Sequence, residues 1–248
     1  MEPPADHLAA NKLSEIESAE RFRAQVERTG ERTKPFGLQW DSAWWLKWAL
    51  VHHAVRTLGV PEGGAVLEVG TGTGWMALLL SEAGFDVLGV DIAPANIALA
   101  REHAERWGSS AEFEVSDLEA LDLGREFDAV VAFDVLHHLA RPDVAVRSIA
   151  ACLRPKGALL IGEPSWLHRI SPNARRVHRE TGWIERGMTV RELKRYCAEA
   201  GLGQFSRFFE STRPHRGRRR FWWEATRLAA ASVAVAPQYS VWLAARKG

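Results

Sequence analysis

Residues 66–74 read Val-Leu-Glu-Val-Gly-Thr-Gly-Thr-Gly, an apolar strand running straight into three alternating glycines and then a helical pattern to Ala83. No other stretch limits the fold as much. Glycine reaches positive φ without steric cost and lets the backbone come close to a ligand. The first turn of the helix that follows presents unpaired N–H groups to whatever binds there. A strand that turns into a helix must meet its neighbour through a crossover, which implies a parallel sheet with helices on its faces.

The rest of the chain continues that alternation. Strands are predicted at Ala65–Val69, Val87–Asp91, Glu112–Val115, Asp128–Phe133 and Ala158–Gly162, with two more at Gln204–Phe209 and Tyr239–Ala245. Between them, Pro94–Trp107 has Pro in its first turn and Gly108 just past its end, the asymmetry expected of a helix. Pro142–Leu153 is a helix stopped by Arg154-Pro-Lys-Gly157, and Thr189-Val-Arg-Glu192 is a capping box opening a helix to about Ala200. Residues 1–60 read as a helical cap: Leu8–Arg28 is polar with sparse apolar positions, and Trp44, Trp45, Trp48 and Val51 recur on a three–four spacing. The expected architecture is α/β, a doubly wound and mostly parallel seven-stranded Rossmann-like sheet. Residues 61–248 form its body, with a polar lid loop at 163–188 and a basic, aromatic insertion at 211–236.

Composition narrows the class. With 46% hydrophobic and 25% charged residues over 248 positions, disorder and collagen-like repeats are excluded. Cys152 and Cys197 lack metal-ligand spacing, so free thiols in a reducing compartment are expected. Neither a leader pattern nor an apolar run of about 20 residues is present, which gives a cytoplasmic expectation.

The ligand at the glycine turn can be argued. A dinucleotide fingerprint spaces its glycines G-x-G-x-x-G, whereas here Trp75 stands where the third glycine belongs. No Gly-Lys-Ser/Thr follows, and the Glu68 carboxylate beside the turn serves a cationic or hydrogen-bond-donating group better than a pyrophosphate. Acids then close successive strands. Asp91 lies 21 residues after Gly70, where a carboxylate accepts from ribose hydroxyls. Asp117 follows the third strand and Asp134 closes the fourth.

The runs Glu68–Gly74, Gly89-Val-Asp91, Val115-Ser-Asp117-Leu, Phe127–Leu139 and Leu153-Arg-Pro-Lys-Gly157 together resemble the class I S-adenosylmethionine-dependent methyltransferases of small-molecule type. The likeness covers roughly residues 60–210 and the last strand. It implies S-adenosyl-L-methionine as cofactor, with Gly70, Gly72 and Gly74 against its methionine part and Glu68, Thr71 and Ile92 beside it. It places the ribose on Asp91, adenine on Asp117 and Leu118, and the sulfonium near Phe133 and Asp134. One departure is Ala93, where many relatives carry a Ser or Thr cap.

The cofactor brings the electrophile, so the protein must orient a nucleophile, exclude water and take up a proton. His138, and after it His137, follow the fourth strand directly and are the candidate bases. Trp45, Glu163, Trp166, His168 and Arg175 are the candidate substrate wall. The strand-four end reads Phe-Asp-Val-Leu, unlike the Asn/Asp-Pro-Pro-Tyr of amino-methylating enzymes. The Asp-Asn pair of divalent-metal catechol enzymes is missing, so no metal is expected. Methylation of an O, N or C atom of a small-molecule acceptor remains. The alternatives are a cofactor-binding protein without turnover and an RNA methyltransferase.

Charge bears on the partner. Residues 166–220 hold 14 Lys/Arg against 5 Asp/Glu, a surplus of +9, so with a chain total of +1 the remainder carries −8. Five of these arginines fall between Arg213 and Arg220, just before Phe221-Trp-Trp223. Four readings stay open: peripheral membrane contact through 213–235, a phosphorylated, sugar- or lipid-linked acceptor, RNA, or a solvated cluster against the body or a homodimer partner. Nucleic acid is the weakest of them.

Overall fold

A computed structural model describes residues 5–30, 42–208, 226 and 240–248. Its elements in chain order are α1 (Ala5–Thr29), α2 (Ser42–Thr57), β1 (Ala65–Val69), α3 (Trp75–Glu82), β2 (Asp86–Asp91), α4 (Pro94–Trp107) and β3 (Glu112–Val115). There follow β4 (Phe127–Phe133), α5 (Pro142–Ala151), β5 (Leu153–Pro164), α6 (Pro172–Thr181), α7 (Val190–Glu199), β6 (Leu202–Phe208) and β7 (Ser240–Lys247). The seven strands form one sheet in the order β3-β2-β1-β4-β5-β7-β6. All pairings are parallel except those of β7, which runs antiparallel to both β5 and β6.

Every residue of β1 is buried, as a strand covered on both faces requires. Alternate side chains then feed two cores. On one face Val66, Val131 and Leu160 pack against Val55 of α2, Met76 of α3 and Ala100 of α4. On the other, Leu67, Val130 and Leu159 pack against Ile149 of α5 and Leu193 and Cys197 of α7. Gly162 has no side chain because the Trp242 ring occupies that space: a Cβ there would lie 2.6 Å from its Cη2. Trp242 in turn stacks on Phe133 at 5.4 Å. The strand order reverses between β1 and β4, and this switch point opens a crevice at their carboxyl ends.

Some elements differ from the sequence reading. β5 begins at Leu153, so the Arg-Pro-Lys-Gly stop lies inside the strand, with Lys156 taking positive φ (65°). The 163–188 segment contains a 3-10 turn, Trp166–Ile170, and the helix α6. That helix has ordinary punctuation: the Ser171 hydroxyl accepts from Ala174 N, Pro172 opens the first turn, and Gly182 ends it at φ 78°. Its polar sequence lacks the apolar period that reveals buried helices. The Thr189–Glu192 capping box forms as read. The 211–236 insertion lies outside the described residues, Thr226 excepted. No described helix is long and apolar enough to cross a membrane.

Candidate active site

The glycine turn takes the conformation its sequence requires. Gly70, Gly72 and Gly74 all have positive φ, at 70°, 54° and 82°. They serve different ends. A Cβ on Gly70 would collide with Val135, 2.6 Å from its Cβ, and one on Gly74 would meet the Phe113 ring at 2.8 Å. Nothing stands within 4 Å of where a Gly72 Cβ would lie. Gly70 and Gly72 line a cavity of about 550 Å³ in the crevice, and Gly74 lies behind it.

Asp91 knits the turn to the next helix. One carboxylate oxygen accepts from Gly72 N at 2.9 Å, and the other accepts from Ala93 N at 2.9 Å and Asn96 Nδ2 at 3.2 Å. Asp91 thus anchors the start of α4 through the Ala93 N–H and the Asn96 side chain, while the helix itself has no side-chain cap. Glu68 sits at the cavity floor, accepting from the Thr71 hydroxyl at 2.6 Å. Burial pushes its pKa up to about 8, against the opposing pull of the Thr71 and Ala77 hydrogen bonds. Asp117 caps the next turn through Glu119 N and pairs with Lys12 of α1 at 2.6 Å. The same ammonium lies 3.0 Å from Glu119.

Asp134 closes β4 with φ 58°, its N–H donating to Gly162 O at 2.9 Å. A 3-10 turn, Leu136–His138, follows. Its free N–H groups converge on Glu163, which is fully buried: one oxygen accepts from Val135 N (3.1 Å) and Leu136 N (2.8 Å), the other from His137 N (3.3 Å) and Nδ1 (2.7 Å). Burial opposes charge on His137, but the Glu163 hydrogen bond and the charges of Glu163, Asp134 and Glu185 outweigh it and raise the imidazole to about 9. His138 behaves oppositely. Burial and the charge of His137 lower it to about 4, leaving it neutral, with Nδ1 donating to Ile184 O at 3.1 Å. The two rings lie 3.9 Å apart. Beyond them, His168 Nε2 meets Glu185 at 2.6 Å. Burial would raise Glu185, yet the three histidines around it hold it below the usual carboxyl range.

Helix α1 lies across this crevice, contributing Asn11, Lys12, Glu15 and Phe22 to the wall. Asn11 Nδ2 donates to His138 O at 3.0 Å, while Asn11 Oδ1 and Glu15 Oε1 are buried without hydrogen-bond partners. Burial, with Asp91 nearby, pushes Glu15 up to about 8. Seven carboxyl groups line the cavity (Glu15, Glu68, Asp91, Asp117, Glu119, Asp134 and Glu185), and among the described residues one Lys or Arg, Lys12, joins them. Acceptors left unpaired and acids lifted by burial fit a cationic, donor-rich occupant. The open space before Gly72 admits it close to the backbone.

The expected residues are thus largely brought together. Glu68, Gly70, Thr71, Gly72, Asp91, Ile92, Asp117, Leu118, Phe133, Asp134, His137, His138 and His168 all line the cavity. Gly74, Glu163, Trp45, Trp166 and Arg175 do not. Glu163 holds the His137 turn instead. Trp45 and Trp166 are about half exposed, at 46% and 43%; Trp44, one position along α2, reaches the wall. Arg175 sits on the exposed face of α6. The sequence reading missed the α1 residues and Glu185, which lie far along the chain from any glycine or strand-end signal.

A parallel sheet with one reversed strand, a glycine turn at its switch point and acids at its strand ends define a nucleoside-binding methyltransferase fold. A family model described as a methyltransferase domain matches residues 46–203, more than half of the chain. The chain belongs to that family, among the class I S-adenosylmethionine-dependent methyltransferases, and its cofactor is S-adenosyl-L-methionine. It is 34% identical over 153 residues to a ubiquinone biosynthesis O-methyltransferase of Methylocella silvestris, covering 58% of this chain and 60% of the relative. To the protein of that name from Azorhizobium caulinodans it is 33% identical over 110 residues, 44% of either chain. The matches thus span less than two thirds of these relatives. Magnesium protoporphyrin IX methyltransferase from Synechocystis, solved with bound S-adenosylmethionine, superposes with a TM-score of 0.64 over 96% of this chain and 97% of its own at 17% identity, which shows the shared fold.

Proposed function

We propose that this protein methylates a hydroxyl oxygen of a small-molecule acceptor. The observation that carries the reading is the imidazole pair His137–His138 in the same wall as the glycine turn and Asp91. The O-methyltransferase relatives support oxygen as the atom modified. Gly70, Thr71, Gly72 and Glu68 would hold the methionine part of the cofactor, Asp91 the ribose, and Asp117 and Leu118 the adenine. When bound, the cofactor supplies a methyl group on a positively charged sulfur.

The chain's own residues divide the remaining work. His138 is neutral, and its Nδ1–H is committed to Ile184 O, which leaves Nε2 to accept the hydroxyl proton. His137, held cationic by Glu163, favours negative charge on the acceptor oxygen. Phe133, Trp44 and Trp75 make an edge-to-face cluster that keeps water from one side of the site. We read the acceptor as neutral or weakly acidic rather than phosphorylated, because the wall is rich in carboxylates and Arg175 stands off it. Membrane contact, RNA contact and dimerisation through 213–235 fall on residues outside the description and add nothing here.

The test is His138→Ala assayed by S-adenosylhomocysteine release with catechol-type and other hydroxylated acceptors. Turnover should fall roughly 100-fold, the size of general-base assistance, with cofactor affinity within threefold of wild type. A wild-type rate removes His138 from the chemistry. Release with amines but no hydroxylated acceptor refutes O-methylation.

A further inference from the structure

The O-methylation reading gives His137 a task but leaves His168 and Glu185, which stand against it in the wall, without one. His137, the Trp166–Ile170 turn residue His168, and Glu185, from the connection before α7, present ligand atoms that all lie within 4.8 Å of one another. His137 Nε2 is 3.9 Å from Glu185 Oε2, and His168 Nε2 is 2.6 Å from the same oxygen. Asp134 Oδ1 stands 3.9 Å from His137 Nε2 on the cavity side. His137 and Glu185 are both largely buried, at 3% and 8% side-chain exposure.

The support behind His137 is that of a metal-binding imidazole. Its Nδ1 is tied at 2.7 Å to the fully buried Glu163 carboxylate, so Nδ1 keeps its hydrogen, and Nε2, which faces Glu185 and Asp134, is the nitrogen that gives up its proton to an ion. A carboxylate behind a ligating histidine fixes both tautomer and ring direction.

We propose that His137 Nε2, His168 Nε2 and Glu185 bind one divalent ion of the zinc type, leaving a further position open to the cavity for the acceptor hydroxyl. Two imidazoles and one carboxylate favour zinc over magnesium or calcium, which take oxygen donors. Two His, one Glu and an open site is a set that catalytic zinc uses. Donors around a tetrahedral ion at about 2.1 Å lie roughly 3.4 Å apart. The His137–Glu185 spacing is already near that. The His168–Glu185 contact must open by less than about 1 Å, or Glu185 must turn its other oxygen inward. Bound there, the ion takes the place of the proton on this cluster and sets a lasting positive charge beside the acceptor oxygen.

The experiment uses untagged protein of all 248 residues, stripped with chelator and dialysed. Zn2+ titrated by calorimetry should bind with a stoichiometry of one. Co2+ in its place should show the intense visible bands of a low-coordinate ion. His168→Ala and Glu185→Gln, each checked for cooperative unfolding, should weaken Zn2+ binding roughly 100-fold or more, beyond what loss of a supporting residue costs. The Co2+ spectrum of the wild type needs no variant. The proposal is overturned if stripped protein takes up no Zn2+ at micromolar concentration, if Co2+ keeps its pale hexahydrate spectrum, or if both variants bind Zn2+ as wild type does. In those cases O-methylation by the metal-free protein leaves the functional reading standing. Stoichiometric zinc without turnover of any hydroxylated acceptor sinks that reading and keeps the site.

Discussion

Glu163→Gln is the most informative single substitution. The side chain is fully buried and its two oxygens receive four N–H groups. Glutamine preserves the shape but turns one acceptor into a donor, facing the His137 N–H and Nδ1–H. Two losses follow. With Glu163 ionised, His137 titrates at about 9 rather than the ordinary 6.5, a difference of some 2.5 units or about 3 kcal/mol. Leaving a buried N–H unsatisfied costs a further 1–3 kcal/mol, roughly. Only the first loss depends on pH. A folded-state pKa raised above the unfolded value stabilises fully below about 6.5, and that stability fades as pH rises through about 9. The variant should therefore lose about 4–6 kcal/mol at pH 6 and about 1–3 at pH 10. Urea unfolding of both proteins, stripped of metal with chelator, at the two pH values measures this, and groups common to both cancel in the difference. The His137 ring resonances should meanwhile titrate at markedly lower pH in the variant. An equal loss at both pH values, or an imidazole still titrating near 9, refutes the assigned role of Glu163.

Three further outcomes follow from the geometry. Gly70→Ala forces a positive φ on alanine and drives its Cβ into Val135, so it should lose about 2–5 kcal/mol, whereas Gly72→Ala meets open space and should lose only about 1. Thermal melts should separate the two while calorimetry finds both weakened for S-adenosylhomocysteine; indistinguishable melts contradict the assignment of Gly70 to close packing. Burial lifts Glu15 and Glu68 to about 8, so both hold protons at pH 7, and a cationic ligand favours their ionised forms. S-Adenosylmethionine should then release more protons on binding than S-adenosylhomocysteine, which lacks the sulfonium charge, seen by calorimetry in two buffers of different ionisation heat; equal release shows that these acids do not sense the sulfonium. Burial also raises both thiols, Cys197 to about 12, so neither should react with a disulfide reagent at pH 7.5 until the protein unfolds, and rapid labelling of the native state disproves their burial.

What the sequence reveals divides along a physical line. The strands and most helices are legible because their signals are local: short continuous apolar runs in β1, β2 and β4, Pro and Gly at helix ends, a capping box at Thr189. The cofactor side of the cavity is legible for the same reason. Once the sheet order is set, Asp91, Asp117 and Asp134 must arrive at one edge, since each ends or follows a strand whose carboxyl end faces the crevice. Asn11, Lys12, Glu15 and Glu185 carry no such signal. They reach the wall only because α1 packs along α4 and α6 and the connection after α6 folds back over His137. Docking direction is a tertiary property, and one residue of helix is a turn of about 100°: that rotation alone puts Trp44 in the wall and leaves Trp45 outside.

Glu163 shows the same principle from the other side. Its place at the end of β5 is legible, but its task is not, because the task belongs to the four N–H groups it meets across the sheet. A 3-10 turn leaves its first donors unpaired, and here they are buried where water cannot serve them. The carboxylate that satisfies them also fixes the His137 ring, so structural satisfaction and chemical positioning are one interaction. That is why a residue wholly out of contact with the cavity can govern what the cavity does.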